Sequence, residues 1–242
     1  MSRVVNREFV LGKEEKEQFR RLMRRLEMFT GLNVLTYAIL DNHFHILLHV
    51  PKREELSDEE IFKRLSFIHN RFEVDAFRER LERFKSFKSA RAYEEERGKV
   101  LRRMYDLGEF MKALKQQFTR WFNKKYRRKG TLWEARYKSV LVEGRGAPLR
   151  TMAAYIDLNA VRAGIVDEPV SYRWCGYGEA MGGEKAARDG LRKLAEISGN
   201  STDWRMVRRM YRNRLYVEGE EKGIGTDGQA LKKGFSREQA VN

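Results

Sequence analysis

One cysteine, three prolines and four histidines are all that the 242 residues contain of these types. The lone Cys175 excludes an intrachain disulfide and any thiolate-rich zinc site. No apolar run approaches the ~20 residues that a membrane span needs. The start, Met1-Ser2-Arg3-Val4-Val5-Asn6-Arg7, has no apolar core of a signal peptide. A cytoplasmic, nucleoid-associated protein without a membrane partner is the expectation. Also missing are a Walker lysine loop, a dinucleotide-binding glycine fingerprint and a nucleophile elbow. ATP-driven and hydride-transfer chemistries therefore have no support.

Positive charge is in excess. Fifty Lys and Arg face thirty-five Asp and Glu, a net charge of +15. An imbalance of that size points to a polyanion, nucleic acid first. It is concentrated between Leu107 and Arg150, where twelve Lys and Arg stand against three acidic residues. Trp121, Tyr126, Trp133 and Tyr137 interleave with those charges. Cations neutralise phosphates and flat rings stack on unpaired bases, so the mixture suits single-stranded or hairpin DNA or RNA. Trp121 and Phe122 are expected in the core. Arg127, Arg128, Lys129 and Arg136 are the expected nucleic-acid contacts, with Lys138 and Arg162 beside them.

Hydrophobic residues make up 41% and aromatics 12%, enough for one sizeable core. Val4 to Val10 reads as a first strand or part of one. Lys13 to Phe29 has helical spacing through Phe19, Leu22, Met23, Leu26 and Phe29, and Gly31 ends it. Asn33–Leu40 and the run from His43 read as strands joined by a tight turn at Asp41-Asn42, hence antiparallel neighbours. Residues 54–106 read as a helical insertion whose mixed charges form a solvated face. Ser57-Asp58-Glu59-Glu60 is a capping start for it. Leu107–Tyr126 is a helix, Tyr137–Glu143 a strand, and Pro148–Ala163 a single helix closed by Gly164. Tyr172–Tyr177 packs over the core, Asp203–Val217 is an amphipathic basic helix, and Gly219–Asn242 is a loose tail. The division expected is a catalytic domain over 1–166, interrupted by the insertion, and a C-terminal extension over 167–242.

Three of the four histidines lie in Asn42-His43-Phe44-His45-Ile46-Leu47-Leu48-His49. On a strand, side chains alternate, so His43, His45, Leu47 and His49 share one face and Phe44 lies on the other. Two neighbouring imidazoles can hold one metal ion. His49 lies too far along to join them, and His69 is an ordinary helix residue. Tyr155 and Asn159 stand one helical turn apart, with Arg162 close to their face. Packed across the histidines, that helix would add the Asn159 amide oxygen as a third ligand. Nitrogen and oxygen donors without thiolate suit Mg²⁺ or Mn²⁺. Tyr155 would then be the nucleophile toward a phosphodiester.

The histidine strand resembles the histidine–hydrophobic–histidine signature of the HUH nucleases. Tyr155-Ile156-Asp157-Leu158-Asn159-Ala160-Val161-Arg162-Ala163-Gly164 resembles the catalytic-tyrosine helix of the REP-associated tyrosine transposases. Gly130-Thr131-Leu132-Trp133-Glu134-Ala135-Arg136-Tyr137-Lys138-Ser139 is similar to that family's segment ahead of the helix. Together the three cover, in order, roughly residues 3 to 177. The chain departs from many relatives in having Asn159-Ala160 where they have Asn-Pro, and in its long 54–106 block. The resemblance implies an α+β, ferredoxin-like fold with the histidine pair central in an antiparallel sheet. It also implies metal-dependent cleavage and rejoining of single-stranded DNA, at hairpin-forming repeats, through a 5′-phosphotyrosine. By position, His43, His45 and Asn159 would be ligands and Tyr155 the nucleophile. Related transposases include monomers and homodimers. Two other readings compete: a nucleic-acid-binding protein that keeps the fold without catalysis, and a metal-dependent hydrolase that uses water.

Overall fold

The computed structural model describes residues 1–144 and 146–219. It is α+β, with a small three-stranded antiparallel sheet and ten α-helices among the described residues. The chain divides into two compact units. Among the described residues, the first comprises Met1–Glu17, Val34–Leu48 and the chain from Thr131 to Gly219; the second comprises Gln18–Asn33 and His49–Gly130. The described part of the segment past residue 166 thus falls in the first unit, together with the first residues of the chain.

In the first unit the sheet is built from β1 (Ser2–Arg3), β2 (Asn33–Ile39) and β3 (His43–His49), in the order β1-β3-β2. The histidine strand is therefore central. β1 pairs antiparallel with β3, Arg3 opposite His43 and Ser2 opposite Phe44. Three residues join β2 to β3, and the turn closes through the Leu40 N–H on the His43 carbonyl at 2.8 Å. Lys16 braces it with a 2.5 Å ion pair to Asp41. After β1 the chain turns through a 3₁₀ segment, Val5–Arg7, in place of a longer strand.

The strand expected over Tyr137–Glu143 is not formed. The chain meets the sheet edge earlier, at a bridge between Val4 and Trp133, and touches it again where Met1 and Lys138 exchange backbone hydrogen bonds at 2.9 Å. β1 offers only two residues to pair with, and Val140 and Leu141 are 78% and 99% exposed, with no face to bury. Trp133 is buried, its ring edge-on to Phe44 at 5.4 Å. It belongs to the core and not to a base-stacking surface.

The helices α6 (Ala147–Asp157), α7 (Asn159–Arg162), α8 (Gly176–Met181), α9 (Lys185–Ile197) and α10 (Trp204–Gly219) complete this unit. Leu35, Ala38, Leu40 and Leu47 of the sheet region share one core cluster with Ala153, Ile156, Ala160, Leu191 and Leu215. Leu47 stands on the histidine face of β3, so α6 covers that face. Tyr172 and Cys175 are buried in the same cluster, and the Tyr172 hydroxyl donates to the Ile39 carbonyl at 2.6 Å. The packing role read for Tyr172–Tyr177 is observed. The expected tail lies, from residue 220 on, outside the described residues.

The second unit is helical. The helix α1 (Lys13–Thr30) enters it at Gln18, and α2 (Asp58–Leu65), α3 (Arg71–Ser86), α4 (Ala90–Leu101) and α5 (Leu107–Lys125) follow. Caps set their starts. Ser57 accepts from the Glu60 N–H, Asn70 and Glu73 form a reciprocal capping box, and Asp106 accepts from the Glu109 N–H. Phe19 meets Phe118 edge-on at 5.2 Å within the apolar stripes of α1 and α5. Gly31, at φ +73°, supplies the left-handed residue that stops α1. Phe122 is buried as expected, and Trp121 is partly covered, with Lys125 over its ring at 5.1 Å. None of the helices among the described residues is long and apolar enough to cross a membrane.

Candidate active site

His43 and His45 stand on the central strand with ring centroids 5.3 Å apart. Phe44 between them points the other way and is fully buried, which fixes the strand's rotation. The Asn42 amide oxygen lies 2.7 Å from Nδ1 of His43. An amide oxygen only accepts, so Nδ1 carries the proton and Nε2 keeps its lone pair. Burial lowers the pKa of His43, assisted by the charges of Arg3 and the chain's amino terminus. Burial, helped by His43 and the same two cations, drives His45 down to about 4. Both rings are therefore neutral near pH 7, the form that donates to a metal.

α6 brings Tyr155 to the pair. Its ring is edge-on to His45, with centroids 6.0 Å apart, and the side chain is 44% exposed. Arg162 places its guanidinium 5.0 Å from the centre of the Tyr155 ring. The expected single helix Pro148–Ala163 is interrupted at Leu158. The cause is Asn159, whose side-chain N–H groups donate to the carbonyls of Tyr155 at 2.8 Å and Ile156 at 3.2 Å. In a continuous helix the backbone N–H groups of Asn159 and Ala160 would use those carbonyls. With its nitrogen anchored, the Asn159 amide keeps its oxygen as the atom able to ligate or accept. Tyr155 and Asn159 stay neighbours across the break.

Ring contacts thus link His43, His45, Tyr155 and Arg162 across more than a hundred residues of sequence, and Asn159 is hydrogen-bonded to the Tyr155 backbone. Arg136 and Lys138 are exposed in the first unit. Arg127 and Lys129 are exposed in the second unit, while Arg128 is partly buried and lies over Phe122 at 5.5 Å. His49 stays apart, its Nδ1 3.0 Å from the Asn33 amide oxygen. His69 lies in the turn ahead of α3 with Glu73 at 3.4 Å, not inside a helix. Compared with family models, curated proteins and solved structures, the chain matches none.

A residue the spacing rules passed over anchors the site from behind. Asp157, two positions after Tyr155, is fully buried. Its carboxyl accepts from the Thr36 hydroxyl of β2 at 2.8 Å, the Tyr211 hydroxyl of α10 at 2.5 Å and the Tyr177 N–H of α8 at 3.0 Å. Burial pushes its pKa up to about 6, although each donor pulls the other way. The sequence did carry a signal: Asp157 falls at i+4 from Ala153 and i−3 from Ala160, inside the apolar stripe of the tyrosine helix. Cys175 belongs to the same knot. Its sulfur accepts from the Gly178 N–H at 3.3 Å, and burial holds the thiol protonated. Its role is structural.

The knot tolerates little bulk. A Cβ on Gly176 would lie 2.1 Å from Oγ1 of Thr36 and 3.0 Å from its Cα. Gly176→Ala is therefore expected to displace the Thr36 hydroxyl from Asp157 and to lower stability by about 1–3 kcal/mol. Urea denaturation measures this, and an unchanged midpoint would mean that Thr36 has room to turn away.

Proposed function

We propose that the protein is a metal-dependent single-stranded DNA endonuclease and strand transferase with Tyr155 as nucleophile. This is the chemistry of the HUH-type, REP-associated tyrosine transposases that the motifs resemble. The observation that carries the reading is the meeting of the Tyr155 and His45 rings at 6.0 Å, with His43 5.3 Å further on. The net charge of +15 supports a polyanionic substrate.

Among the described residues, no group of three or more His, Cys, Asp or Glu side chains is arranged to hold a metal. The donors that this reading calls on are two neutral imidazoles and the Asn159 amide oxygen. They fit a Mg²⁺ or Mn²⁺ ion that takes its remaining ligands from the phosphate and water. His43, His45 and Asn159 would hold it. Bound there, the ion would polarise and orient the scissile phosphodiester.

The chain's own residues do the rest. The Tyr155 oxygen forms a bond to phosphorus as the bond from phosphorus to the 3′ oxygen breaks. Water takes the phenolic proton, and the departing 3′ oxygen gains one. The product is a 5′-phosphotyrosine and a free 3′ hydroxyl. Attack by another strand's 3′ hydroxyl reverses the step and rejoins DNA. Arg162, over the Tyr155 ring, would attract the phosphate and position the phenol beneath it. Asn159 holds the backbone at the nucleophile's own carbonyl.

The test incubates the protein with labelled hairpin DNA and Mg²⁺ or Mn²⁺ and looks for a denaturant-resistant protein–DNA adduct. The adduct is expected to map to the peptide carrying Tyr155. Cleavage without an adduct would sink the reading in favour of a hydrolase that uses water.

A further inference from the structure

The helix α10 is amphipathic and basic. Its buried row, Val207, Tyr211 and Leu215, joins the core cluster that holds α6. A second row at i, i+4 spacing, Trp204, Arg208, Arg212 and Tyr216, lines an open cavity of about 340 Å³. Tyr177 of α8, Arg188 of α9 and the apolar Pro169, Val170 and Met181 also line it. Every one of these residues is in the first unit, as Tyr155 is.

The walls have two chemistries. One is flat and aromatic: Trp204, with the guanidiniums of Arg188 and Arg192 at 5.1 and 5.7 Å from its ring, and Tyr216, with Arg212 at 5.3 Å. The other is cationic. Arg188 is held in place by its Nε–H, which donates to the Ala180 carbonyl at 3.0 Å. The charges of Arg208 and Arg212 both reach the Tyr177 hydroxyl. Glu168 is the one carboxylate among the lining residues. No described carboxylate forms an ion pair with Arg188, Arg208 or Arg212. Three guanidiniums against a single carboxylate, beside aromatic faces, suit a phosphate joined to a planar ring. A cavity near the small end of the ~300–1,000 Å³ typical of ligand pockets suits one nucleotide better than a folded partner.

We propose that this cavity binds an unpaired nucleotide of single-stranded DNA, its base against Trp204 or Tyr216 and its phosphate on Arg208 and Arg212. The proposal rests on the nuclease reading for its choice of DNA. It gives the C-terminal extension a role, as the holder of a strand away from the cleavage site.

The test uses the full-length chain carrying Tyr155→Phe, so that no turnover intrudes, and a fluorescent single-stranded oligo-dT. Arg208→Ala with Arg212→Ala is expected to weaken binding at least tenfold in about 0.1 M salt. The slope of log K against log salt should become shallower by about 0.7, one phosphate contact at ~0.7 for single strands. Arg205 and Arg209 lie on the same helix and are exposed but outside the cavity. Arg205→Ala with Arg209→Ala removes the same charge and is expected to cost less than threefold. Equal losses from the two pairs, or no loss from either, would overturn the proposal. Thermal melts within a few degrees of the parent exclude misfolding. An oligo carrying 5-iododeoxyuridine is expected to crosslink at Trp204 or Tyr216 on irradiation; crosslinks confined to other peptides would count against the pocket. Tighter binding of oligo-U than oligo-dT, with the same dependence on Arg208 and Arg212, would reassign the site to RNA. Adduct formation by the protein with Tyr155 intact separates the two ideas. Loss specific to the cavity without any adduct leaves the pocket standing and removes the nuclease; a normal adduct with no cavity effect does the reverse.

Discussion

Asp157→Leu is expected to lower the unfolding free energy by about 3 kcal/mol or more, because it leaves three buried donors without an acceptor. The Tyr211 hydroxyl, the Thr36 hydroxyl and the Tyr177 N–H all converge on this carboxyl. Relief from burying the carboxylate offsets part of that loss. Asp157→Asn keeps the shape but puts an NH₂ where every partner donates, and about 1–3 kcal/mol is expected at pH 7. The pH dependence has a definite sign. The carboxyl's folded pKa of about 6 lies above its ordinary 3.8. Between those values the folded state binds more protons than the unfolded state, so this group's contribution grows as pH falls. Asparagine does not titrate. The stability gap between the parent and Asp157→Asn is therefore expected to be wider at pH 5 than at pH 7 by about 1.4 kcal/mol, one unit of pH at 1.36 kcal/mol each. Denaturation curves of both proteins at the two pH values measure it. A gap that stays constant or narrows would show that the carboxyl is already ionised well below pH 5. Because Asp157 fixes the helix that presents Tyr155, the same variants should also slow adduct formation.

That knot is built from contacts that no local pattern in the sequence encodes. Periodicity located α1, α5 and the basic α10, because each buries an apolar stripe at three- and four-residue spacing. A three-residue link made β2 and β3 antiparallel neighbours, and alternation put His43 and His45 on one face. The break at Leu158 was out of reach, since it depends on one Asn159 side chain competing for two backbone carbonyls. The strand expected at Tyr137–Glu143 failed because its partner edge, Ser2–Arg3, is two residues long. Trp133 looked like a surface ring among cations; its burial against Phe44 comes from a bridge to Val4 that local pattern does not encode. The division into two units likewise depends on long-range contacts, for α1 crosses from one to the other with no change in its stripe. Asp157 was visible as a charge in an apolar row. Its partners Thr36 and Tyr211, at 121 and 54 residues' distance, were not.

Tyr155→Phe is expected to abolish the covalent adduct, a loss of at least about 10³-fold in strand cleavage, while leaving the protein folded and DNA bound. The change removes one oxygen. Phenylalanine keeps the ring that stands edge-on to His45 and lies under Arg162, so neither contact is lost. Tyr155 is 44% exposed, and loss of its hydroxyl should shift stability by no more than about 0.5 kcal/mol. Hairpin DNA affinity should stay within about twofold, since phosphates and not the phenol supply most of the attraction. The measurement is a time course on labelled DNA, resolved under denaturing conditions, with parent and variant at equal, saturating concentrations. Three outcomes separate the chemistries. No adduct and no cleavage means that the phenolic oxygen is the nucleophile. Undiminished cleavage means that water attacks and Tyr155 serves only to pack. An adduct that persists in the variant means that another side chain carries the bond, and the histidine face of β3 is then no longer the place to look for it.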